Sequence, residues 1–263
     1  MFTSVRGIIA ASTLAGSLLA ANPALADATD PPKAVTVTGN VALVSDYRFR
    51  GLSQSAGDPA IQGSVNINHS SGFYVGFWSS STDFSNLGVI PDKTYGSQEL
   101  DLYGGWTGTV SPGLVFDGGL LYYAYPSGHF GKAEFFEPYA SLTQTIGPVS
   151  AKLGANYAWK QAALDFDGNG KKDDNIYVYG ELSAGIPATP ISVLAHLGYT
   201  QGALSPKFAT GAVHYDGGFD YSLGASFNIT PKLSIGAAYV GVDGTSIKKY
   251  SDDTVVGTLK LTF

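Results

Sequence analysis

Residues 35–50 alternate with a period of two over a length few soluble strands reach. The odd positions carry Val35, Val37, Gly39, Val41, Leu43, Ser45, Tyr47 and Phe49, and the even ones Thr36, Thr38, Asn40, Ala42, Val44, Asp46, Arg48 and Arg50. Strands of water-soluble proteins usually run about 5–6 residues, whereas a tilted strand crossing a bilayer needs about 9–11. The odd register holds no charge, and every charge of the segment sits in the even one. A slip of one residue would exchange the two faces, so the pattern fixes which face meets which solvent.

The same alternation returns at 60–69, 73–79, 99–107, 114–125, 134–146, 149–159, 176–186, 191–199, 221–229, 233–242 and 254–263, which makes twelve expected strands. The joints between them alternate in length. Short ones fall at 70–72, 110–113, 147–148, 187–190 and 230–232, rich in the Gly, Pro and Ser that supply turn dihedrals. Long ones fall at 51–59, 80–98, 126–132, 160–175, 201–218 and 243–253. Short periplasmic turns alternating with long extracellular loops mark a transmembrane barrel. The expected fold is therefore all-β, an up-and-down antiparallel barrel of about twelve strands over residues 35–263.

Residues 1–26 read as an export signal. A short start with one base, Arg6, leads into an apolar run over 7–20 and the small-x-small site Ala24-Leu25-Ala26. Residues 27–34 then form a periplasmic lead-in without a plug domain. The chain has no cysteine, which excludes a lipid anchor on cysteine, a disulfide scaffold and thiol chemistry. No later run approaches the roughly 18 apolar residues of a membrane helix. Loss of Arg6 with the signal moves the net charge from −6 to −7, and such an acidic chain is unsuited to nucleic acid. Thirty-four glycines and sixteen tyrosines against 14% charged residues suit strands held between two solvents rather than helices.

By register, the inward face carries Asp46, Arg48, Arg50, Glu99, Asp101, Asp117, Glu137, Lys152, Glu181 and Lys260, with His196 beside them. Opposed acids and bases across a lumen create a transverse field and set ion preference. Tyr74, Tyr103, Tyr123, Tyr139, Tyr177 and Tyr179 offer inward surfaces for small polar solutes. Aromatics near strand ends (Tyr47, Phe49, Phe73, Trp78, Trp106, Tyr122 to Tyr125, Tyr157, Trp159, Tyr177 and Tyr179) suggest interfacial girdles.

The loop 165–173 has the oxygen spacing of a calcium loop. Asp165, Asp167, Asn169, the Lys171 carbonyl and Asp173 supply ligands around the bend at Gly170, while Ile176 stands where the bidentate glutamate belongs. The expected cofactor is at most Ca2+ in this loop. Catalytic signatures are absent from the sequence: there is no Gly-x-Ser-x-Gly elbow and no metal-binding His pair, and only His129 near Ser127 suggests a lipase-like pair.

Ser45-Asp46-Tyr47-Arg48-Phe49-Arg50-Gly51-Leu52-Ser53-Gln54, Asp58-Pro59-Ala60 and Gly72-Phe73-Tyr74-Val75-Gly76-Phe77-Trp78 resemble segments of the proteobacterial TorF family of porins. So do Glu99-Leu100-Asp101-Leu102-Tyr103-Gly104-Gly105 and Tyr122-Tyr123-Ala124-Tyr125-Pro126. The resemblance implies a porin-like channel in a Gram-negative outer membrane and brings no substrate. The expected activity is passive diffusion of small hydrophilic solutes or ions. A non-conducting structural or adhesive barrel is the alternative, and a membrane lipase the remote one. Expected partners are outer-membrane lipid, small polar solutes and the barrel-assembly machinery, which reads a final strand ending on an aromatic such as Phe263.

Overall fold

The computed structural model describes residues 34–84, 95–128, 133–165, 170–207 and 217–263. The export signal and the lead-in up to residue 33 lie outside them. The described strands are β1 (Val35–Val44), β2 (Arg48–Phe49), β3 (Leu52–Ser53), β4 (Ala60–His69), β5 (Phe73–Ser81), β6 (Gln98–Ser111) and β7 (Leu114–Ala124). They continue with β8 (Phe135–Ile146), β9 (Val149–Gln161), β10 (Asp173–Gly185), β11 (Ile191–Gly202), β12 (Gly218–Asn228), β13 (Leu233–Val242) and β14 (Thr254–Thr262). A single 3-10 turn, Ala162–Leu164, interrupts the pattern among these residues.

Twelve of these strands form a closed antiparallel ring: β4 to β14 pair in chain order, and β1 closes it between β14 and β4. At the seam Asn40–Val44 of β1 oppose Thr258–Thr262 of β14, and Gly39 and Phe263 exchange N–H···O bonds of 3.0 Å in both directions. The chain's last residue is thus part of the closing ladder. Its backbone satisfies groups that hydrocarbon would leave unpaired at several kcal/mol each.

Burial is inverted relative to a soluble protein. Val37, Leu43, Ile61, Phe77, Leu102, Leu182, Leu197, Leu223 and Leu259 all point outward and are exposed, and Leu153 is 71% exposed. Asp101 and Glu137, on the inward registers, are 0% exposed. Water would make this arrangement costly on both faces; a bilayer outside and a polar interior make it favourable. Among the described residues no helix is long and apolar enough to cross a membrane.

The interior divides into two zones along the barrel axis. Towards the long loops it is packed with Leu52, Phe84, Tyr95, Leu121, Tyr125, Phe135, Leu164, Val242 and Tyr250, next to a second cluster of Val44, Tyr47, Ala60, Trp78 and Val256. Towards the short turns it is lined by half-buried Asn40, Asn66, Asn68, Thr143, Ser150, Ser183 and Ser222. A dry half therefore sits above a polar vestibule.

Two expectations about strand and ring placement need correction. The first strand ends at Val44, six residues short of the alternation, because the chain after Ser45 turns off the wall into the lumen. Asp46, Arg48 and Arg50 belong to that inward loop rather than to a strand wall. Tyr47, Trp78, Tyr123, Tyr125, Tyr177 and Tyr179 are buried inside rather than forming girdles, and Phe49 packs against the same interior cluster. The exposed aromatics that do face outward include Phe73, Trp106, Phe136, Tyr157 and Trp159.

Several inward tyrosines lie flat against the wall, made possible by a facing glycine. A Cβ on Gly154 would meet the Tyr179 ring at 2.4 Å, and one on Gly105 would meet Tyr74 Oη at 2.6 Å. Gly154→Val is expected to lower the free energy of unfolding of the refolded barrel by about 1–3 kcal/mol. Gly185→Ala, where a Cβ meets nothing within 4 Å, should leave it within about 0.5 kcal/mol of the parent. Urea unfolding in lipid vesicles measures both.

Candidate functional site

The loop that leaves β1 makes the site. Ser45 still behaves as strand, its N–H bonded to Gly257 O at 2.9 Å and its Oγ accepting from Gly257 N at 2.8 Å. Beyond it the chain folds a miniature hairpin inside the barrel, with Arg48 opposite Ser53 and Phe49 opposite Leu52. The two turn residues, Arg50 and Gly51, both adopt positive φ, +47° and +80°. That is the requirement of a tight two-residue hairpin turn of the primed kind. Glycine accepts it freely, but for Arg50 the left-handed conformation costs roughly 1–2 kcal/mol. The turn places the Arg50 side chain at the hairpin's tip.

Arg48 anchors the base of this hairpin. Its Nε donates to Asp46, and its Nη1 donates to the carbonyls of Gly51 (3.1 Å), Tyr250 (3.1 Å) and Asp252 (2.9 Å). The last two belong to the loop before β14, so one guanidinium ties the first loop to the last. Asp46 also accepts from Ser53 Oγ at 2.6 Å. On the apolar side, Tyr47 packs on Trp78 with ring centroids 5.2 Å apart.

Arg50 crosses the lumen to the opposite wall. Its Nη2 donates to both Glu137 oxygens at 2.8 Å, and its guanidinium lies 4.2 Å from the Tyr177 ring centroid and 4.8 Å from that of Phe49. Glu137 is held by others too: Tyr123 Oη donates to it at 2.9 Å and Asn156 Nδ2 at 3.0 Å. Burial disfavours the Arg50 cation, but the Glu137 carboxylate outweighs it, and the guanidinium pKa is raised above its ordinary value.

Nearby, acid outnumbers base. Tyr47 Oη donates to Glu99 at 3.0 Å; burial first, and then the Glu99 and Asp101 charges, push this loop phenol well above its usual pKa. Asp101 is fully buried, and among the described residues neither of its oxygens has a hydrogen-bond partner. Asp46 is matched by Arg48 and Glu137 by Arg50, while neither Glu99 nor Asp101 forms an ion pair among the described residues.

The vestibule holds a second network. His196 Nε2 lies 2.9 Å from Asp220 Oδ1 and His196 Nδ1 lies 3.4 Å from Glu181 Oε1, while Tyr177 Oη donates to Asp220 at 3.1 Å. Asp117 accepts from Tyr74 Oη at 2.6 Å, and Lys152 Nζ stands 5.6 Å from the Tyr179 ring centroid. Lys260 is buried between Ala42 and Ser234 near the short-turn end.

The structure thus gathers Asp46, Arg48, Arg50, Glu99, Asp101 and Glu137 around the hairpin, with Lys152, Glu181 and His196 below and Asp117 and Lys260 on the wall. Asp220, central to the second network, was not among the sequence candidates, because β12 begins at Gly218, ahead of the expected 221. Its register signal was available: Asp220 and Ser222 face Tyr221 and Leu223 in alternation. Asn156, which holds Glu137, shares the inward register of Lys152 and was likewise legible. Of the calcium-loop residues, Asp167 and Asn169 lie outside the described residues, as do His129 and His214; Asp165, Lys171 and Asp173 are within them. Among the described residues no group of three or more acidic or histidine side chains is placed to hold a metal ion.

Residues 28–263 match the family model described as "Bacterial protein of unknown function (Gcw_chp)", and the chain belongs to that family. A comparison with curated protein sequences gives no match. Among solved structures, the NanC porin superposes with a TM-score of 0.57 at 11% identity, covering 87% of this chain and 99% of that one. The KdgM porin, solved in complex with disordered oligogalacturonate, gives 0.53 at 7% identity, with 87% and 98% covered. An outer membrane channel from Pseudomonas putida F1 gives 0.50 at 12% identity, with 89% and 98% covered. At such identities these likenesses establish a shared barrel fold.

Removing one partner of the buried Arg50–Glu137 pair should cost far more than replacing both. Glu137→Gln is expected to destabilise the refolded barrel by about 3–5 kcal/mol, and Arg50→Met with Glu137→Leu by clearly less. Urea midpoints of the two variants, compared with the parent, check the order.

Proposed function

We propose that this member of the Gcw_chp family is a porin-like outer-membrane channel that passes small hydrophilic solutes or ions by passive diffusion. The observation that carries the reading is the crossing of Arg50 from an inward hairpin to Glu137 on the far wall, inside a barrel that is apolar outside and polar within. A loop folded into the lumen and opposed by wall charges narrows the passage and gives it a transverse field. The TorF resemblance points the same way. Export through the Sec pathway and recognition of Phe263 by the assembly machinery complete the reading.

The solute class follows from the polar groups of the lumen. KdgM was solved with an acidic oligosaccharide, but the dry half of the present lumen carries two carboxylates, Glu99 and Asp101, without an ion-pair partner among the described residues. Buried carboxyl groups with no cation beside them offer an anion no partner and suit neutral or cationic solutes. The reading also includes a calcium site in the loop 165–173, supported by Asp165, whose Oδ2 accepts from Gly170 N at 3.0 Å and whose Oδ1 has no hydrogen-bond partner among the described residues.

The non-conducting barrel is the second reading, and one observation favours it. Tyr47, Leu121, Leu164, Glu99 and Glu137, in the half towards the long loops, are fully buried side chains. Single-channel recording of the refolded protein in planar bilayers separates the two. Discrete conductance steps with cation preference are expected. Complete silence over a wide voltage range would give the structural reading the ground.

A further inference from the structure

Arg50 is a cation seated in a receptor made by other residues. The receptor consists of Glu137, which accepts two bonds of 2.8 Å, and the Tyr177 ring, 4.2 Å from the guanidinium. Neither depends on Arg50 for its position. Glu137 is held by Tyr123 and Asn156, and Tyr177 is bonded to Asp220 and packed over Gly198, where a Cβ would meet its Oη at 2.2 Å. The ligand, by contrast, is presented on a two-residue turn whose arginine is strained. The wall is preorganised and the tip is not.

The surroundings are arranged to the same end. The base of the hairpin rests on apolar inward residues, Val44, Ala60 and Val256, which cannot face water and keep that part of the loop in place. Among the described residues, buried polar atoms of the wall have no hydrogen-bond partner (both oxygens of Asp101, Asp117 Oδ2, Asn156 Oδ1, Tyr179 Oη and Asp220 Oδ2), and neither has Arg50 Nη1. Asp101 is 0% exposed, and its two oxygens, without a hydrogen-bond partner among the described residues, add polar acceptor atoms near the receptor.

We propose that the Glu137–Tyr177 pocket is a recognition site for small organic cations bearing a guanidinium group, and that Arg50 is an internal stand-in for such a solute, holding the passage shut until it is displaced. A planar guanidinium suits this pocket better than an ammonium, because its face lies on the Tyr177 ring while one of its NH2 groups, Nη2 in Arg50, bonds both Glu137 oxygens. The inference deepens the channel reading and rests on it for the passage, but the binding site stands without it.

The test uses the refolded full chain with Arg50→Ala, probed with guanidinium chloride at millimolar concentration and with urea as the neutral isostere. In planar bilayers the variant should open more often than the parent, and guanidinium but not urea should block it reversibly. Adding Tyr177→Leu should weaken the block about tenfold, and adding Glu137→Gln should abolish it. Equal effects of guanidinium and urea, or a block indifferent to both second substitutions, overturns the proposal. If parent and variant are both silent, the channel reading fails and the site is read from thermal unfolding. Guanidinium should then raise the midpoint of Arg50→Ala but not that of Arg50→Ala with Glu137→Gln; no difference between them overturns the site as well. Should Arg50→Ala refold poorly, guanidinium in the refolding buffer is expected to restore the yield where urea does not, and failure to do so counts against the proposal.

Discussion

Hydrocarbon offers a backbone N–H or C=O nothing to bond to, and the rest of this molecule follows from that deficit. The sheet has to close, so β1 meets β14 and the terminal Phe263 bonds to Gly39 in both directions. Closure with one face in lipid forces apolar residues outward and leaves polar ones no place but the interior. Leu153 and Asp101, one almost fully exposed and the other fully buried, are two sides of the same requirement. Tyrosine and glycine then solve the interior packing together, a ring on one strand lying over the bare backbone of the next.

A closed ring of twelve strands lies between the eight-stranded barrels that side chains fill and the roughly sixteen-stranded ones that leave an aqueous channel. The first loop meets that geometry by entering the lumen. Its base is fixed by packing and by Arg48, whose bonds reach the loop before β14; its tip is fixed by one ion pair. A buried pair of this kind adds little net stability compared with apolar packing, while its rupture leaves an uncompensated charge. Arg50–Glu137 is therefore better understood as setting position than as adding strength. In the proposed channel this is the contact that sets whether the long-loop half is packed or passable.

The barrel was legible because its signals are local and repeated. Alternation such as Ala60–His69 and 233–242 marks strands whose two faces meet different media, and the joints betray their side of the membrane by length. The inward loop was hidden by the same signal. Alternation continues through Asp46, Tyr47, Arg48 and Phe49 because the loop, too, has one side against an apolar cluster and one towards charges, so period two does not distinguish a wall from a hairpin folded beside it. The Arg50-Gly51 pair was the missed turn signal. Interfacial girdles misled for a related reason: a tyrosine near a strand end has the same composition signature whether it faces lipid, like Tyr157, or the lumen, like Tyr177. Partners such as Arg50 and Glu137, 87 positions apart, are set by how the ring closes, which no local pattern encodes.

The central claim is that the first loop is folded inside the barrel, and trypsin tests it directly. Arg48 and Arg50 are buried, whereas Lys172 and Lys249 are exposed in other loops. Limited proteolysis of the protein refolded in vesicles, followed by peptide mapping, should show cleavage after Lys172 and Lys249 while the bonds after Arg48 and Arg50 stay intact. Cleavage after Arg48 or Arg50 as fast as after Lys172 would place the loop outside the lumen and contradict the account.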